Sequence, residues 1–134
     1  MSHQFSCQIE IRFADLDAYG HVNNAVYFTY LETARVKVFT QNFVDFMNEG
    51  MFFVVAHAAC DYKKPIRLED GLVTIKFDIK TKGRTSFEVD YELLGPAGQL
   101  FATAKTVMVA LDAKKGTPMA IPEGMMNRLL EGLD

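Results

Sequence analysis

Apolar and polar residues alternate in several segments of this chain, but one long segment near the N-terminus has helical spacing instead. Residues 5–13 alternate strictly, which predicts a half-buried strand. From about Asn24 the apolar residues recur every three or four positions, which predicts a helix that ends near Phe46, before Gly50. A single long helix among strands restricts the chain to folds in which one helix packs against a sheet.

More strands are predicted after this helix. The elements expected, in chain order, are strands at 52–60, 73–79, 87–93 and 99–111 and a short helix at 122–132. The first of these strands is a nearly continuous apolar run, which favours a central strand buried on both faces. The second and third alternate, and Gly83 between them is typical of a hairpin turn. Pro122 suits the first turn of the last helix.

This order of elements predicts an α+β fold, an antiparallel sheet with one long helix on its inner face. We expect residues 1–134 to form a single domain of this kind. One helix covers only part of five long strands, and alternating strands at the edges of a sheet need a partner. We therefore expect a homodimer that extends the sheet, or a homotetramer built from two such dimers.

The composition excludes several classes of function. A formal net charge of −3 and a pI near 5.6 argue against a nucleic-acid partner, which requires a basic surface. No apolar run approaches the roughly 20 residues that span a bilayer, and the first residues lack the pattern of a signal peptide. We therefore expect a cytoplasmic protein without membrane contact. Cys7 and Cys60 are expected to be small buried apolar residues.

One dense polar cluster lies between the first strand and the helix. Its members are Asp15, Asp17, His21, Asn23 and Asn24. Three interpretations are open. The asparagines can cap the helix while the aspartates favour its positive end. Asp15, Asp17 and His21 can ligate a metal, although no further His or Cys has ligand spacing. Finally, a carboxylate beside the free amides of a helix N-terminus can attack a carbonyl or activate water.

Other catalytic signatures are absent from the sequence. There is no G-x-S-x-G, which excludes the nucleophile elbow of the α/β-hydrolases. There is also no Gly-rich phosphate loop, no H-E-x-x-H and no paired C-x-x-C. The polar cluster therefore remains as the candidate segment for chemistry, with its three interpretations open.

The cluster belongs to a long motif, Arg12-Phe13-x-Asp15-x-Asp17-x-x-Gly20-His21-Val22-Asn23-Asn24-x-x-Tyr27-x-x-Tyr30-x-Glu32-x-Ala34-Arg35. The segment Asp61-Tyr62-x-x-Pro65 and then Asp70 follow. Together they closely resemble the 4-hydroxybenzoyl-CoA thioesterase family, over nearly the whole chain. The resemblance implies a hot-dog fold, a five-stranded antiparallel sheet wrapped around a long central helix. It also implies hydrolysis of an acyl-CoA thioester to free acid and coenzyme A.

The resemblance further implies roles for particular residues. Asp17 corresponds to the catalytic carboxylate, acting as nucleophile or general base, and the backbone amide of Asn24 to the group that polarises the thioester carbonyl. The hairpin that carries Lys82, Arg84 and Ser86 corresponds to a region that contacts coenzyme A. We expect no metal, since no further ligand has suitable spacing, and no cofactor apart from the coenzyme A of the substrate. The resemblance implies active sites that lie between subunits. His21 is expected either to support the site or to have a structural role only.

Tyr19 and Glu32 also lie in this motif, and two alternative functions remain open. Tyr19 stands where the locally similar plant acyl-carrier-protein thioesterases have asparagine. Glu32 occupies the helix that carries a catalytic glutamate in a sister family, but here we expect it to pair with Arg35, one turn on. Two alternative functions are a hot-dog hydratase or dehydratase, which needs a catalytic histidine with a partner acid, and a non-catalytic acyl-CoA-binding protein. His57, the histidine available to a hydratase, is expected to be a core residue.

Overall fold

The computed structural model describes residues 5–47 and 50–131. Its strands are β1 (Phe5–Glu10), β2 (Met51–Tyr62), β3 (Leu72–Thr81), β4 (Ser86–Leu94) and β5 (Leu100–Asp112). Its helices are α1 (Asn24–Asn42), α2 (Val44–Met47) and α3 (Glu123–Glu131). The predicted end of the last helix at residue 132 lies outside the described residues. Within the described ranges, no helix is both long enough and apolar enough to cross a bilayer.

All five strands form one antiparallel sheet in the order β1-β3-β4-β5-β2. The alternation that predicted the strands also sets which side chains meet α1. Val73, Ile75 and Phe77 of β3, for example, are completely buried, while the polar residues between them are partly exposed. Because helix α1 lies against this apolar face, the predicted α+β arrangement is confirmed.

Strand β2 is not the buried central strand that its apolar sequence predicted. It lies at the edge of the sheet, where β5 is its only partner among the described residues, and residues 54–59 are all exposed. A bulge between Val55 and His57 interrupts the pairing. The prediction was wrong because an apolar run marks a surface that must be covered, without specifying whether the same chain covers it.

The ends of two elements also differ from the prediction. The long helix stops at Asn42, since the Phe43 backbone leaves the helical region and its completely buried ring packs against Phe5 and Phe39. The helical segment then resumes as α2. At the N-terminus, β1 stops at Glu10, and Phe13 lies in a short 3-10 turn where it is 79% exposed.

Candidate active site

The loop between β1 and α1 folds back on itself. The Asp17 amide donates to the His21 carbonyl (2.8 Å), and the Asn23 amide donates to the Asp15 carbonyl (2.9 Å). Gly20 makes the reversal possible, because its φ of 79° lies in the left-handed region that favours glycine. These two backbone hydrogen bonds hold Asp17 close to Asn23 and therefore close to the start of α1.

The start of α1 is capped by Asn23. Its side-chain oxygen accepts a hydrogen bond from the Ala25 amide (2.9 Å), and its carbonyl accepts one from the Val26 amide (2.9 Å). Capping by Asn23 is thus confirmed, whereas Asn24 is the first residue of the helix. In the part of the chain that the structure describes, the Asn24 amide donates to no acceptor. This N–H is therefore available to a ligand.

The Asp17 carboxylate is half-buried and held in one orientation. Its Oδ1 accepts a hydrogen bond from the Tyr19 amide (2.8 Å) and a long one from the His21 amide (3.4 Å). The other oxygen, Oδ2, accepts no hydrogen bond from the described residues. Backbone amides thus fix the carboxylate, while one negatively charged oxygen remains free to react or to accept a proton.

Asp15 has a different environment, although only one residue separates it from Asp17. It is 1% exposed and accepts hydrogen bonds from the Arg12 amide (3.0 Å), the Arg12 guanidinium (2.9 and 3.2 Å) and the Tyr30 hydroxyl (2.7 Å). Burial alone would raise its pKa, but the hydrogen bonds from Arg12 and Tyr30 hold the pKa below its ordinary value. Asp15 therefore ties the loop to α1.

The metal site suggested by the sequence used Asp15, Asp17 and His21 as ligands. The structure does not leave Asp15 free for this role, because its carboxylate binds Arg12 and Tyr30. Among residues 5–47 and 50–131, no three His, Cys, Asp or Glu side chains come together as a metal site. His21 acts on Asp17 through its backbone, which also bridges to Arg67. A supporting role for the imidazole itself stays a prediction.

Sequence reasoning missed Tyr62, which lies beside the start of α1. Its hydroxyl donates to the Asn24 carbonyl (2.9 Å), and its ring packs edge-on against Tyr27 with 4.7 Å between centroids. Burial raises the pKa of Tyr27 to about 12, so this ring stays neutral. Both tyrosines line a cavity of about 230 Å³ together with Lys63 and Lys64. The signal was present, since Tyr62 belongs to the Asp61-Tyr62-x-x-Pro65 part of the motif.

A larger, apolar groove of about 440 Å³ runs between α1 and the edge strand β2. Phe39, Phe53 and Met108 are among the residues that line it, and Glu32 and Arg35 add charges. The predicted ion pair between Glu32 and Arg35 is not formed. Arg35 instead turns inward and donates to the Tyr91 hydroxyl (3.1 Å), because that buried hydroxyl lies within its reach on β4.

The predicted coenzyme A contacts lie far from Asp17 within the chain. Lys82, Arg84 and Ser86 are at the β3–β4 hairpin, whereas the Asp17 loop meets the sheet where β3 begins. The ten residues of β3 separate the two regions, a distance of about 30 Å at about 3.3 Å per residue. One chain therefore does not bring these residues together.

His57 is also not where the sequence placed it. It is exposed on the edge strand, paired with Val107 on the face of the sheet that α1 does not cover. There it lines a shallow hollow with Asp61 and Lys105. The expectation of a core histidine failed because β2 is an edge strand.

The chain is similar to known thioesterases in sequence and in structure. A sequence profile described as the thioesterase-like superfamily matches residues 11–129. The long-chain acyl-CoA thioesterase FadM of Escherichia coli K12 is 33% identical over 127 residues, which are 92% of this chain and 95% of that protein. The acyl-CoA thioester hydrolase YbgC of Escherichia coli O157:H7 is 26% identical, over 91% of this chain and 92% of YbgC.

Solved structures agree with this assignment. A thioesterase from Thermus thermophilus, crystallised with coenzyme A and zinc, is 35% identical to this chain with a TM-score of 0.83. The match covers 99% of this chain and 98% of the Thermus chain. The probable thioesterase YbaW from Escherichia coli is 28% identical with a TM-score of 0.84, covering 97% of this chain and 99% of its own. These likenesses confirm the predicted hot-dog fold. The chain belongs to the thioesterase-like superfamily.

Proposed function

We propose that this protein hydrolyses acyl-CoA thioesters and that Asp17 is its catalytic carboxylate. The observation that carries the proposal is the free Oδ2 of Asp17, on a loop that leads directly into the unoccupied Asn24 amide. A carboxylate and an N–H donor are the two groups that this reaction requires. The named activities of FadM and YbgC supply the substrate class.

The Asn24 amide is proposed to bind the thioester carbonyl oxygen. Negative charge grows on this oxygen as the carbonyl carbon is attacked, and the amide and the positive end of α1 stabilise it. The Tyr62 hydroxyl holds the Asn24 carbonyl, and this contact fixes the peptide at the start of the helix. Because one donor and a helix terminus provide this stabilisation, no metal is required in the scheme.

Asp17 can act in either of two ways. As a nucleophile, its oxygen forms a bond to the carbonyl carbon while the carbon–sulfur bond breaks, which releases coenzyme A thiolate and leaves a mixed anhydride. Water then hydrolyses the anhydride, releases the acid and restores the carboxylate. As a general base, Asp17 removes a proton from a water molecule whose oxygen bonds to the carbonyl carbon; the carbon–sulfur bond then breaks to release coenzyme A thiolate, and Asp17 gives its proton up to solvent. In both routes the thiolate takes up a proton from solvent.

The groove between α1 and β2 provides an apolar surface for the acyl group. Its lining includes Val36, Phe39 and Phe53, and it runs along the same helix whose first amide is proposed to bind the carbonyl. An acyl group bound in this groove is shielded from water on the side formed by α1 and the sheet. A second copy of the protein is proposed to close the open side.

Dimerisation also resolves the distance between Asp17 and the predicted coenzyme A contacts. If β2 pairs antiparallel with β2 of a second copy, opposite ends of the two sheets adjoin. The end of the partner that carries its β3–β4 hairpin then lies beside the Asp17 end of this chain. We propose that Lys82, Arg84 and Ser86 bind coenzyme A in the active site of the other subunit. Sedimentation that gives a monomer at micromolar concentration would contradict this arrangement.

A thiol-release assay tests the activity. The purified protein is given short, long, branched and aromatic acyl-CoAs, and free coenzyme A is measured with a thiol reagent. We expect release with at least one substrate class, together with an equal amount of free acid. Tight binding without thiol release would favour the acyl-CoA-binding alternative. Conversion of an enoyl-CoA to its hydroxyacyl-CoA, with the thioester intact, would favour the hydratase.

A further inference from the structure

Arg35 carries a buried positive charge that no carboxylate of its own chain neutralises within the described residues. The residue is 7% exposed, and its guanidinium donates to the Tyr91 hydroxyl, which shares a second hydrogen bond with Thr106 (2.7 Å). Both of these partners are neutral. Across residues 5–47 and 50–131, no acidic side chain forms an ion pair with Arg35. Among the described residues no buried guanidinium nitrogen lacks a hydrogen-bond partner, so the nitrogens that Tyr91 does not bind reach the open groove that Arg35 lines. A carboxylate from outside the chain can therefore reach this largely desolvated charge and neutralise it.

Glu32 is a negative charge on the same wall of the groove. It is exposed, lies one helical turn before Arg35, and makes no ion pair within the described ranges. Residues three apart on a helix share a face. A helix face with one positive and one negative charge, one turn apart, is complementary to a copy of itself that runs in the opposite direction.

This charged face lies level with the middle of the exposed edge strand. Near its start, α1 contacts the end of β2 through Tyr27 and Tyr62, and farther along it contacts the start of β2 through Phe39 and Phe53, with 5.9 Å between ring centroids. Helix α1 therefore runs antiparallel to β2. Glu32 and Arg35 lie between these contacts, beside the central residues of the strand.

The middle of β2 is uncovered even on the side that faces α1. Val55 and Ala58 pair with Met108 and Thr106, which are buried beneath α1, yet Val55 and Ala58 themselves are exposed. Their own helix does not reach them. A second helix beside α1 would cover them, together with Val36, which is 56% exposed on α1.

We infer that Glu32 of one copy forms an ion pair with Arg35 of a second copy, twice across the two-fold axis of the dimer. This inference rests on the dimer in the proposed function. Antiparallel pairing of β2 with itself places the two α1 helices side by side and in opposite directions, with their middles at the axis. Glu32 of each helix then meets Arg35 of the other. The pair supplies the missing counter-charge and selects a second copy of this chain as the occupant of the face.

A charge swap tests the pair. Glu32→Arg and Arg35→Glu each place like charges opposite one another, and we expect either change to raise the dimer dissociation constant by roughly a hundredfold or more. An equimolar mixture of the two variants restores opposite charges at both contacts, so we expect a heterodimer as its main species. Native mass spectrometry distinguishes the heterodimer from either homodimer. Glu10→Arg makes the same charge change on β1, at the other edge of the sheet, and should leave the dimer intact.

The outcomes separate this inference from the proposal on which it rests. A monomeric wild-type protein would overturn both. A wild-type dimer with an unaltered dissociation constant in Glu32→Arg would overturn only the ion pair, as would a mixture that forms no heterodimer. If Arg35→Glu does not fold alone, the dissociation constant of Glu32→Arg decides, because Glu32 is exposed and its replacement leaves the core unchanged.

Discussion

Replacing Asp15 with alanine should destabilise the protein strongly, although Asp15 is only two residues from the proposed catalytic carboxylate. The change leaves the Tyr30 hydroxyl and the Arg12 amide without their acceptor. A hydrogen bond to a charged group contributes about 1.5–3 kcal/mol. The Arg12 guanidinium adds little, because its side chain is 70% exposed and screened by solvent. We therefore expect a loss of about 3–5 kcal/mol in the free energy of unfolding, as for other broken buried pairs.

Urea unfolding at equal protein concentrations measures this loss, since the stability of a dimer depends on concentration. Tyr30→Phe removes the buried hydroxyl alone, and a double-mutant cycle with Asp15→Ala should give a coupling of about 1–2 kcal/mol. Asp45→Ala, at an exposed position in α2, is the control and should change the stability by less than about 0.5 kcal/mol. A loss below about 1 kcal/mol for Asp15→Ala, or no coupling, would refute the role assigned to this network.

Two further predictions concern acid stability and coenzyme A. The pKa of Asp15 in the folded state is lowered from its ordinary value of 3.8, so its stabilisation is complete above that value and is lost as the pH falls through the lowered pKa. The stability difference between the wild type and Asp15→Asn, followed by urea unfolding, should therefore shrink below about pH 4, and a constant difference would contradict this. Replacing Lys82 and Arg84 with alanine should raise KM by about tenfold with little change in kcat, and the effect should shrink at high salt. If Lys63→Ala with Lys64→Ala raises KM instead, the coenzyme A phosphates bind beside the cavity that Lys63 and Lys64 line.

The sequence predicted those features that depend on local pattern. Alternation located β3 and β4 to within a few residues, because one face of each strand is buried. The sequence predicted a cap at Asn23 or Asn24, and the structure identifies Asn23 as the cap. In the same way, the turn Asp17–Gly20 was expected from its composition, and the structure adds which oxygen of Asp17 it holds.

The predictions that failed concern features that depend on which elements are neighbours in space. An apolar run looks the same in a central strand as in an edge strand that awaits a partner, so the position of β2 was not readable. The spacing of Glu32 and Arg35 permits an ion pair on one helix, but the pattern does not show the buried Tyr91 hydroxyl that Arg35 binds instead. The separation of Lys82 from Asp17 likewise became apparent only from the pairing of β1 with β3.

The central claim is that Asp17 is needed for turnover and not for folding. Asp17→Asn keeps a side-chain oxygen that can accept from the Tyr19 amide, so the turn should persist. It removes the charged Oδ2 that attacks or accepts a proton, and this loss typically costs about 10²- to 10⁴-fold in rate. Asp15 is no control for this change, because it stabilises the fold. Asp45→Asn serves instead.

The measurement is kcat/KM for thiol release by Asp17→Asn, made on protein whose unfolding free energy is determined in parallel. We predict a rate lower by at least about a hundredfold, an unfolding free energy within about 1 kcal/mol of the wild type, and no change for Asp45→Asn. Wild-type thiol release by Asp17→Asn would contradict the assignment of Asp17. A loss of rate that only matches a loss of folded protein would instead show that Asp17, like Asp15, holds the loop.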